Sequence, residues 1–407
     1  MSLLYKPLET ITSADLKGLI DNGVRESLYI EYKTEVFDKR DAKKRMQFLG
    51  SISGFANASG GDLLIGVEAQ DGVPVALPGI DDAVFEQEKL RILAVVGSSI
   101  QPSMLKDLHE VPVSEGRRVL IIRIPRSWNP PHGIENDGHY HFYQRHSAGR
   151  SPMTLDELRM SFTLAAGVPE RMRQFHASRI AWLKEPRSPG YWQKPAFVMH
   201  ILPFSGMMGM ATANFSNKHA MWLLSPISNR DQNMQQDGGV LRYNADGPLR
   251  TPAGGDNWHT QLFRNGALEH AGAEPYISAE GSGVVLAWTL QTTLVNIIPR
   301  YIRALATFGV TPPMLIVSSL INVPGVKLWQ GKGYACHPLS REGIDRENVL
   351  LPEILFTGTG DEPPAKLLKP MFDGLWNAAG LDRCPYYGKD GQWDIDENWL
   401  DDPDRPY

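Results

Sequence analysis

Cysteine is scarce in this sequence of 407 residues, which contains only Cys336 and Cys384. Two cysteines cannot form the disulfide framework of a small secreted domain, and they argue against a zinc site built on cysteine ligands. The start of the chain has no basic stretch followed by a long apolar run, so no signal peptide is expected. The most apolar later segment, residues 283–298, is interrupted by polar side chains and is too short to span a membrane. These features predict a cytoplasmic protein.

An excess of positive charge is also lacking, because the formal net charge is −5. Attraction of a whole chain to nucleic acid requires a basic balance, so binding of that kind is not indicated. A local basic patch would still be enough to bind phosphate groups. The phosphate-binding pattern G-x-x-x-x-G-K-[ST] is absent as well, which removes the commonest sequence signal for a nucleotide site.

The chain is long enough for two or three domains. Its hydrophobic periodicity alternates between helical and strand patterns throughout, which predicts an α+β protein. The Ala-Ala-Gly-Val-Pro segment is predicted to be the boundary between a first domain (residues 1–166) and a second α+β domain of unknown role (residues 167–389). Residues 390–407 carry seven acidic side chains and are expected to form a solvated tail.

The stretch RESLYIEYK places two carboxylates around a short apolar strand. Strand alternation puts Glu31 and Lys33 on the same face, whereas Glu26 joins them only if the chain bends at Glu26–Ser27. Glu68 ends the strand DLLIGVE and is a third carboxylate that can converge on the same place. Mg²⁺ and Mn²⁺ prefer carboxylate oxygens, so the triplet is a candidate metal site for phosphodiester hydrolysis. The alternative is a solvated edge strand with a salt bridge.

A run of cations follows this strand and opens the next predicted helix, for which Asp38 is the expected N-cap. Cations in the first turns of a helix oppose its macrodipole, so their placement indicates a use such as phosphate binding. A solvated helix face is the alternative. Two residues of the later strand HYHFYQR would either contact a nucleotide by stacking and charge or simply close the domain. The candidate nucleic-acid ligands are Lys39, Arg40, Lys43, Lys44, Tyr143 and Arg145.

Glycine and histidine patterns carry weaker signals. The Gly60–Gly61 pair in FANASGGDLLIGV is primarily the turn chemistry of a helix end followed by a strand, with a phosphate-cradling loop as the alternative. Among the clustered histidines, His139 and His141 share a strand face and are either a metal or acid–base pair or a half-exposed strand pair. His200, within VMHILP, is expected to be a hydrogen-bonded core histidine.

Three motifs occur in a fixed order: ESLYIEYK, GFANASGGDLLIGVE and HFYQRHSAGRSPMTLDEL. Together they resemble the Schlafen-type AlbA_2 domain over about residues 20–165, which implies a mixed sheet in the N-terminal domain. The Schlafen branch of that family includes metal-dependent endoribonucleases that cut structured RNAs such as tRNA. The resemblance implies that Glu26, Glu31 and Glu68 hold one or two Mg²⁺ or Mn²⁺ ions, with Lys33 beside them as a catalytic cation.

This sequence departs from the family pattern in two respects. Glu68 stands where the nucleases usually have Asp, and Ala69 stands where many members have a second acid. The Schlafen nucleases also build their RNA groove from two such lobes, whereas this chain has one clear copy. A homodimer would supply the second lobe.

The expected function is therefore a metal-dependent nuclease, acting on tRNA or other RNA, as an effector in anti-phage defence. The alternative is a non-catalytic regulatory protein that binds nucleic acid or a nucleotide through the same groove. An unidentified protein partner is expected in either case, because the second domain resembles partner regions without assigned chemistry that follow AlbA_2 domains.

Overall fold

A computed structural model of the chain describes residues 3, 6–38, 40–104, 106–146, 149–185, 194–218, 220–225, 239–252, 258–272, 277–278, 284–330, 337–338, 343–358, 363–388 and 391–393. The chain divides into two compact units, Met1–Gly167 and Val168–Tyr407. Each unit combines helices with sheets, which confirms the predicted α+β class. Of the predicted acidic tail, only residues 391–393 are described.

The first unit begins with a short 3₁₀ turn and continues with alternating helices and strands. Its helices are α1 (Ser13–Asp21), α2 (Ala42–Asn57), α3 (Asp82–Ser99) and the first part of α4 (Leu155–Leu183). Its strands are β1 (Ile30–Lys33), β2 (Gly61–Ile65), β3 (Glu68–Gln70), β4 (Val73–Ala76), β5 (Ile80–Asp81), β6 (Ile100–Gln101), β7 (Asp107–Ser114), β8 (Arg117–Ile124), β9 (Gly133–Asn136), β10 (His139–His146) and β11 (Gly149–Pro152).

The main sheet of this unit is mixed, as predicted. In the described chain its order is β1–β2–β8–β5, with β7 also paired to β8. β1 and β2 run parallel, and the other pairs are antiparallel. Alternation along β1 buries Ile30 and Tyr32 in a core with Leu16 of α1. Glu31 consequently faces the other side of the sheet, where α2 packs between the main sheet and a second sheet of order β11–β10–β9–β6.

Helix α2 begins at Ala42, later than the predicted N-cap would place it. Asp41 is the N-cap, and its carboxylate accepts a hydrogen bond from the backbone N–H of Lys44 at 2.9 Å. The helix ends before Gly60, whose backbone N–H donates to the carbonyl of Phe55. Gly60 has a φ of +75°, and a Cβ on Gly61 would lie 2.3 Å from the Phe55 ring. The Gly pair is therefore turn chemistry and close packing, as expected.

Helix α4 runs without interruption from Leu155 to Leu183, so the segment predicted as the domain boundary is helical, and the division between the two units falls within it, after Gly167. Thr154 and Glu157 start the helix with reciprocal side-chain hydrogen bonds, as a capping box requires. Pro169 lies inside the helix. A single proline removes one intrahelical hydrogen bond, and the adjacent alanines favour the helix strongly enough for it to continue.

The second unit begins with the remainder of α4 and is built around a large antiparallel sheet. Its other helices are α5 (Phe204–Met207), α6 (Ala287–Thr307) and α7 (Pro364–Asn377), with a 3₁₀ turn at Ala220–Leu224. Its strands are β12 (Ala196–Pro203), β13 (Val240–Tyr243), β14 (Pro248–Thr251), β15 (Trp258–Leu262), β16 (Leu268–Gly272), β17 (Ile277–Ser278), β18 (Val284–Leu286), β19 (Met314–Ile321), β20 (Lys327–Gln330), β21 (His337–Pro338), β22 (Asn348–Leu350) and β23 (Ile354–Phe356).

In the described residues the large sheet has the order β13–β14–β15–β16–β12–β19–β22, with β23 also paired to β19. β17, β18, β20 and β21 form a separate small sheet. The amphipathic helices α6 and α7 share an apolar core with the large sheet, through side chains such as Leu294, Phe372 and Ile316. None of the helices in the described part of the chain combines the length and the hydrophobicity that crossing a membrane requires.

Candidate functional site

The chain bends sharply just before β1, as the convergence of Glu26 with Glu31 requires. Ser27 donates its backbone N–H to the carbonyl of Ile30 at 3.0 Å, which closes a tight turn. The bend returns the Glu26 carboxylate to the free edge of β1, where Oε1 accepts the backbone N–H of Tyr32 at 2.9 Å. Glu26 thus occupies a donor of an edge strand that no neighbouring strand pairs with in the described chain.

Glu31 is a buried carboxylate with donors on both oxygens, and only 7% of its surface is exposed. Lys33 Nζ lies 2.7 Å from Oε1, and the Ser51 hydroxyl donates to the same oxygen at 2.7 Å. Arg145 Nη1 donates to Oε2. Burial by itself raises the pKa of Glu31, but Lys33, Arg145 and Ser51 outweigh it and hold this pKa below its usual value. Glu31 is therefore ionised at neutral pH.

Arg145 does not face solvent, which corrects the prediction that it contacts nucleic acid. Only 4% of its surface is exposed, and its guanidinium carbon lies 4.3 Å from the centre of the Phe55 ring. Nε donates to the Ser27 carbonyl at 2.8 Å, Nη2 donates to the Ile30 carbonyl at 3.2 Å, and Nη1 donates to Glu31. All three guanidinium nitrogens are thus used to tie β10 to the turn before β1.

Two residues that the sequence did not single out complete the network. Arg150, from β11, donates through Nη1 to the Ser51 hydroxyl at 3.1 Å and to the carbonyl of Gln47. It approaches α2 at Gly50, where an added Cβ would lie 3.1 Å from Arg150 Nε. The sequence could have indicated Ser51 by its hydroxyl within the apolar stripe of a predicted helix. It could have indicated Arg150 by its place in the HSAGRS segment after β10.

Glu68 lies at the first position of β3 and is exposed. The backbone N–H groups of Gly66 and Val67 both donate to the carbonyl of Lys33, at 2.8 and 3.0 Å. The segment between β2 and Glu68 is therefore held against the end of β1. The three candidate carboxylates nevertheless form no metal site as they stand. No three His, Cys, Asp or Glu side chains of the described residues are grouped so that they could hold a metal ion. Glu31 is already paired with cations, so the residues do not fit a divalent ion in this arrangement.

Residues 26–154 match the family model of the Schlafen AlbA_2 domain. The chain contains a Schlafen AlbA_2 domain. This domain match suggests a nucleic-acid-related function, and it covers the strand, helix and hairpin that form the Glu31 network.

Two solved structures are similar to this chain. One is the N-terminal domain of a putative ATP-dependent DNA helicase RecG-related protein from Nitrosomonas europaea, with 22% identity over 32% of this chain and 84% of that one, at a TM-score of 0.25. The other is the DIP2311 protein from Corynebacterium diphtheriae, with 14% identity over 34% of this chain, 29% of that one and a TM-score of 0.22. No curated protein sequence matches the chain.

The AlbA_2 domain exposes some of the predicted nucleic-acid ligands. Arg40 lies just before α2, and Lys43 and Lys44 lie in its first turn; all three are exposed. Lys39 lies outside the described residues. Tyr143 is half-buried, and the Arg150 guanidinium carbon lies 5.5 Å from the centre of its ring. The structure thus keeps one basic cluster at the start of α2 in solvent.

Proposed function

We propose that the AlbA_2 domain binds nucleic acid, with RNA as the preferred ligand, through the cations at the start of α2. The observation that carries this proposal is the exposure of Arg40, Lys43 and Lys44 at a helix terminus where positive charge is unfavourable. These side chains gain nothing from the helix dipole and form no salt bridge in the described chain. Binding of phosphate groups explains their presence there.

Fluorescence anisotropy of the full chain with tRNA, single-stranded RNA, single-stranded DNA and duplex DNA tests this proposal. We expect salt-dependent binding, strongest for RNA, that weakens roughly tenfold in the Lys43→Gln/Lys44→Gln variant because two phosphate contacts are lost. The matched control is Lys17→Gln/Arg159→Gln, which removes two exposed cations from α1 and α4. Equal losses in both variants, or no binding to any nucleic acid, would contradict the proposal.

A second candidate function is a metal-dependent endoribonuclease, which the course of β1 and β2 favours. These strands are parallel neighbours, so the end of β2 lies beside the end of β1 that carries Lys33. Gly66 and Val67, which follow β2 and precede Glu68, both donate to the Lys33 carbonyl. The activity requires Glu26, Glu31 and Glu68 to converge on Mg²⁺ or Mn²⁺, and Glu31 would have to exchange its pairing with Arg145. Incubation of tRNA with the protein and Mn²⁺ tests this: cleavage that Glu31→Gln abolishes without unfolding would establish the nuclease, and intact RNA would favour binding alone.

The wider setting stays a set of predictions that rest on the same domain. A homodimer would provide a second lobe for RNA, and a measured solution mass of one chain would reject it. A role in anti-phage defence, a cytoplasmic setting and an unidentified protein partner are predicted by the resemblance and the composition alone.

A further inference from the structure

We infer that Lys33 and Arg150, the latter held in place by Ser51, form a binding site for one phosphate group, and that the site works without a metal ion. The inference rests on the proposed function, because a phosphodiester of a bound nucleic acid is the ligand in question. It goes further by placing the contact on the Glu31 network rather than on the lysines at the start of α2.

The network around Glu31 carries more positive than negative charge. Arg145, Lys33 and Arg150 carry three positive charges and are connected, directly or through Ser51, to the single negative charge of Glu31. Three positive charges against one negative charge leave a net charge of +2. Arg145 is the buried cation of the three, and a buried cation needs a counter-ion, so the charge of Glu31 is matched by Arg145.

The two remaining cations, Lys33 and Arg150, reach solvent. The Lys33 side chain is 36% exposed, and Arg150 is half-buried. No carboxylate of the described residues forms a salt bridge with Arg150, whose hydrogen bonds run from Nη1 to the neutral oxygens of Gln47 and Ser51. Its Nε and Nη2 donors therefore remain for a ligand.

A short series of contacts connects Lys33 to Arg150. Lys33 Nζ and the Ser51 hydroxyl contact the same oxygen of Glu31, each at 2.7 Å, and Arg150 Nη1 contacts Ser51 at 3.1 Å. The two solvent-reaching cations are thus linked to each other through the Glu31 carboxylate and the Ser51 hydroxyl. Gly50 leaves the room that the Arg150 side chain occupies against α2.

These features select an oxyanion of phosphate geometry. A guanidinium presents parallel donors to two phosphate oxygens, and an ammonium adds a point charge. The same excess of positive charge disfavours a divalent cation at Glu31, since an ion approaching from solvent is repelled by Lys33 and Arg150. The arginine that the family resemblance did not explain, Arg145, thereby takes the neutralising role that a metal would otherwise have at Glu31.

The test measures binding of a single-stranded RNA oligonucleotide to the full chain in EDTA, at several salt concentrations. We expect Arg150→Gln and Lys33→Gln each to weaken binding roughly tenfold and to lower the slope of log affinity against log salt by about 0.7. The control, Lys17→Gln, should change neither. Hydrogen exchange of α2 and β10 establishes that the variants are folded.

The outcomes separate this inference from the proposed function. Wild-type binding that both substitutions leave unchanged, or binding that requires Mn²⁺ and is lost in Glu31→Gln, would overturn the inference while the proposed function stands. If the wild type binds no nucleic acid, the proposed function fails, and inorganic pyrophosphate then decides the site. A saturable shift of the Arg150 Nε–H resonance that Lys33→Gln removes would support the site, and an unshifted resonance would overturn it.

Discussion

Each unit of the protein buries a glutamate beneath an arginine, but the two glutamates have different surroundings. Glu269, in the second unit, has no exposed surface, and Arg179 donates to both of its oxygens at 2.7 and 2.9 Å. His200 and His259 contact the same two oxygens at 2.9 and 2.8 Å. Burial raises the pKa of Glu269, and these hydrogen bonds more than reverse it, to well below the usual value.

The bonds around Glu269 also fix where the protons lie. Because Glu269 accepts from His200 Nε2, the neutral His200 ring has a bare Nδ1, which lies 2.7 Å from Nδ1 of His176. His176 must then donate from Nδ1 and accept at Nε2, where Ser319 Oγ lies at 2.8 Å. Each polar atom of this relay has one partner of the correct kind when both histidines are neutral.

The comparison teaches how two similar ion pairs acquire different uses. Arg179 balances Glu269, and the relay leaves His176 and His200 neutral, so this ion pair has no net charge to offer a ligand. The Glu31 network has an excess of two positive charges, and two of its cations reach solvent. The Glu269 network is buried and its charges balance, so it stabilises the sheet that contains it. The Glu31 network is partly open to solvent and carries excess positive charge, so it is suited to bind an anion.

The largest expected effect is that of Glu269→Gln on stability. The change leaves Arg179 and two histidines around an uncharged amide, and breaking a buried ion pair costs about 3–5 kcal/mol. We expect amide hydrogen exchange in β12 and β16 to accelerate accordingly. Glu347→Gln is the control, because Glu347 pairs with Lys184 at the surface and should cost less than about 1 kcal/mol. Similar costs for both substitutions would show that the closed network adds no stability.

Acid should distinguish the two units next. Burial lowers the pKa of His176 and of His270 to about 3, and it lowers the pKa of His200 as well. Since the unfolded chain takes up protons near pH 6.5 and the folded chain does not, stability falls as the pH decreases below about 6.5. The loss is about 1.4 kcal/mol per pH unit for each such histidine.

In the first unit, among the described residues, burial lowers the pKa of only His132 in this way. Hydrogen exchange between pH 7.5 and pH 5, corrected for the intrinsic rate, should therefore show β12 losing protection faster than β2. His176→Gln should flatten the dependence in β12 and leave β2 unchanged. Parallel losses in the two strands would contradict the assignment of neutral histidines to the second unit.

Much of the framework was predictable because it depends on local patterns. The alternation in IEYK placed Glu31 and Lys33 on one face, and the salt bridge between them is present at 2.7 Å. The hydrogen-bonded core position of His200 was also confirmed, and the bend that Glu26 needs in order to join Glu31 is present. The shared face of Glu31 and Lys33 and the burial of His200 follow from the residues around them in each strand.

The partners of Glu31 were not predictable in the same way. Arg145 is 114 residues away from Glu31 and Ser51 is 20 away, and no local rule brings them to the same carboxylate. Arg145 was therefore interpreted as a surface ligand, whereas the packing of β10 on α2 buries it. The metal-binding role of Glu26, Glu31 and Glu68 came from the resemblance to a family, and it stays a prediction for this chain.

The smallest expected effect is also the most specific, and it concerns two serines of α2. Ser51 donates to Glu31, whereas Ser53 donates to the carbonyl of His132 at 2.7 Å, and both are fully buried. Replacing either serine with alanine removes the hydrogen bond it donates and the one it accepts, from Arg150 or from Asn57, and should cost about 2 kcal/mol of stability. Only Ser51→Ala removes the hydroxyl that links Arg150 to Glu31 and Lys33, so only that variant should weaken RNA binding, by roughly threefold. Denaturant midpoints and anisotropy on the same samples measure both quantities. If the two variants lose stability equally and RNA affinity equally, Ser51 has no part in the phosphate site beyond its place in the fold.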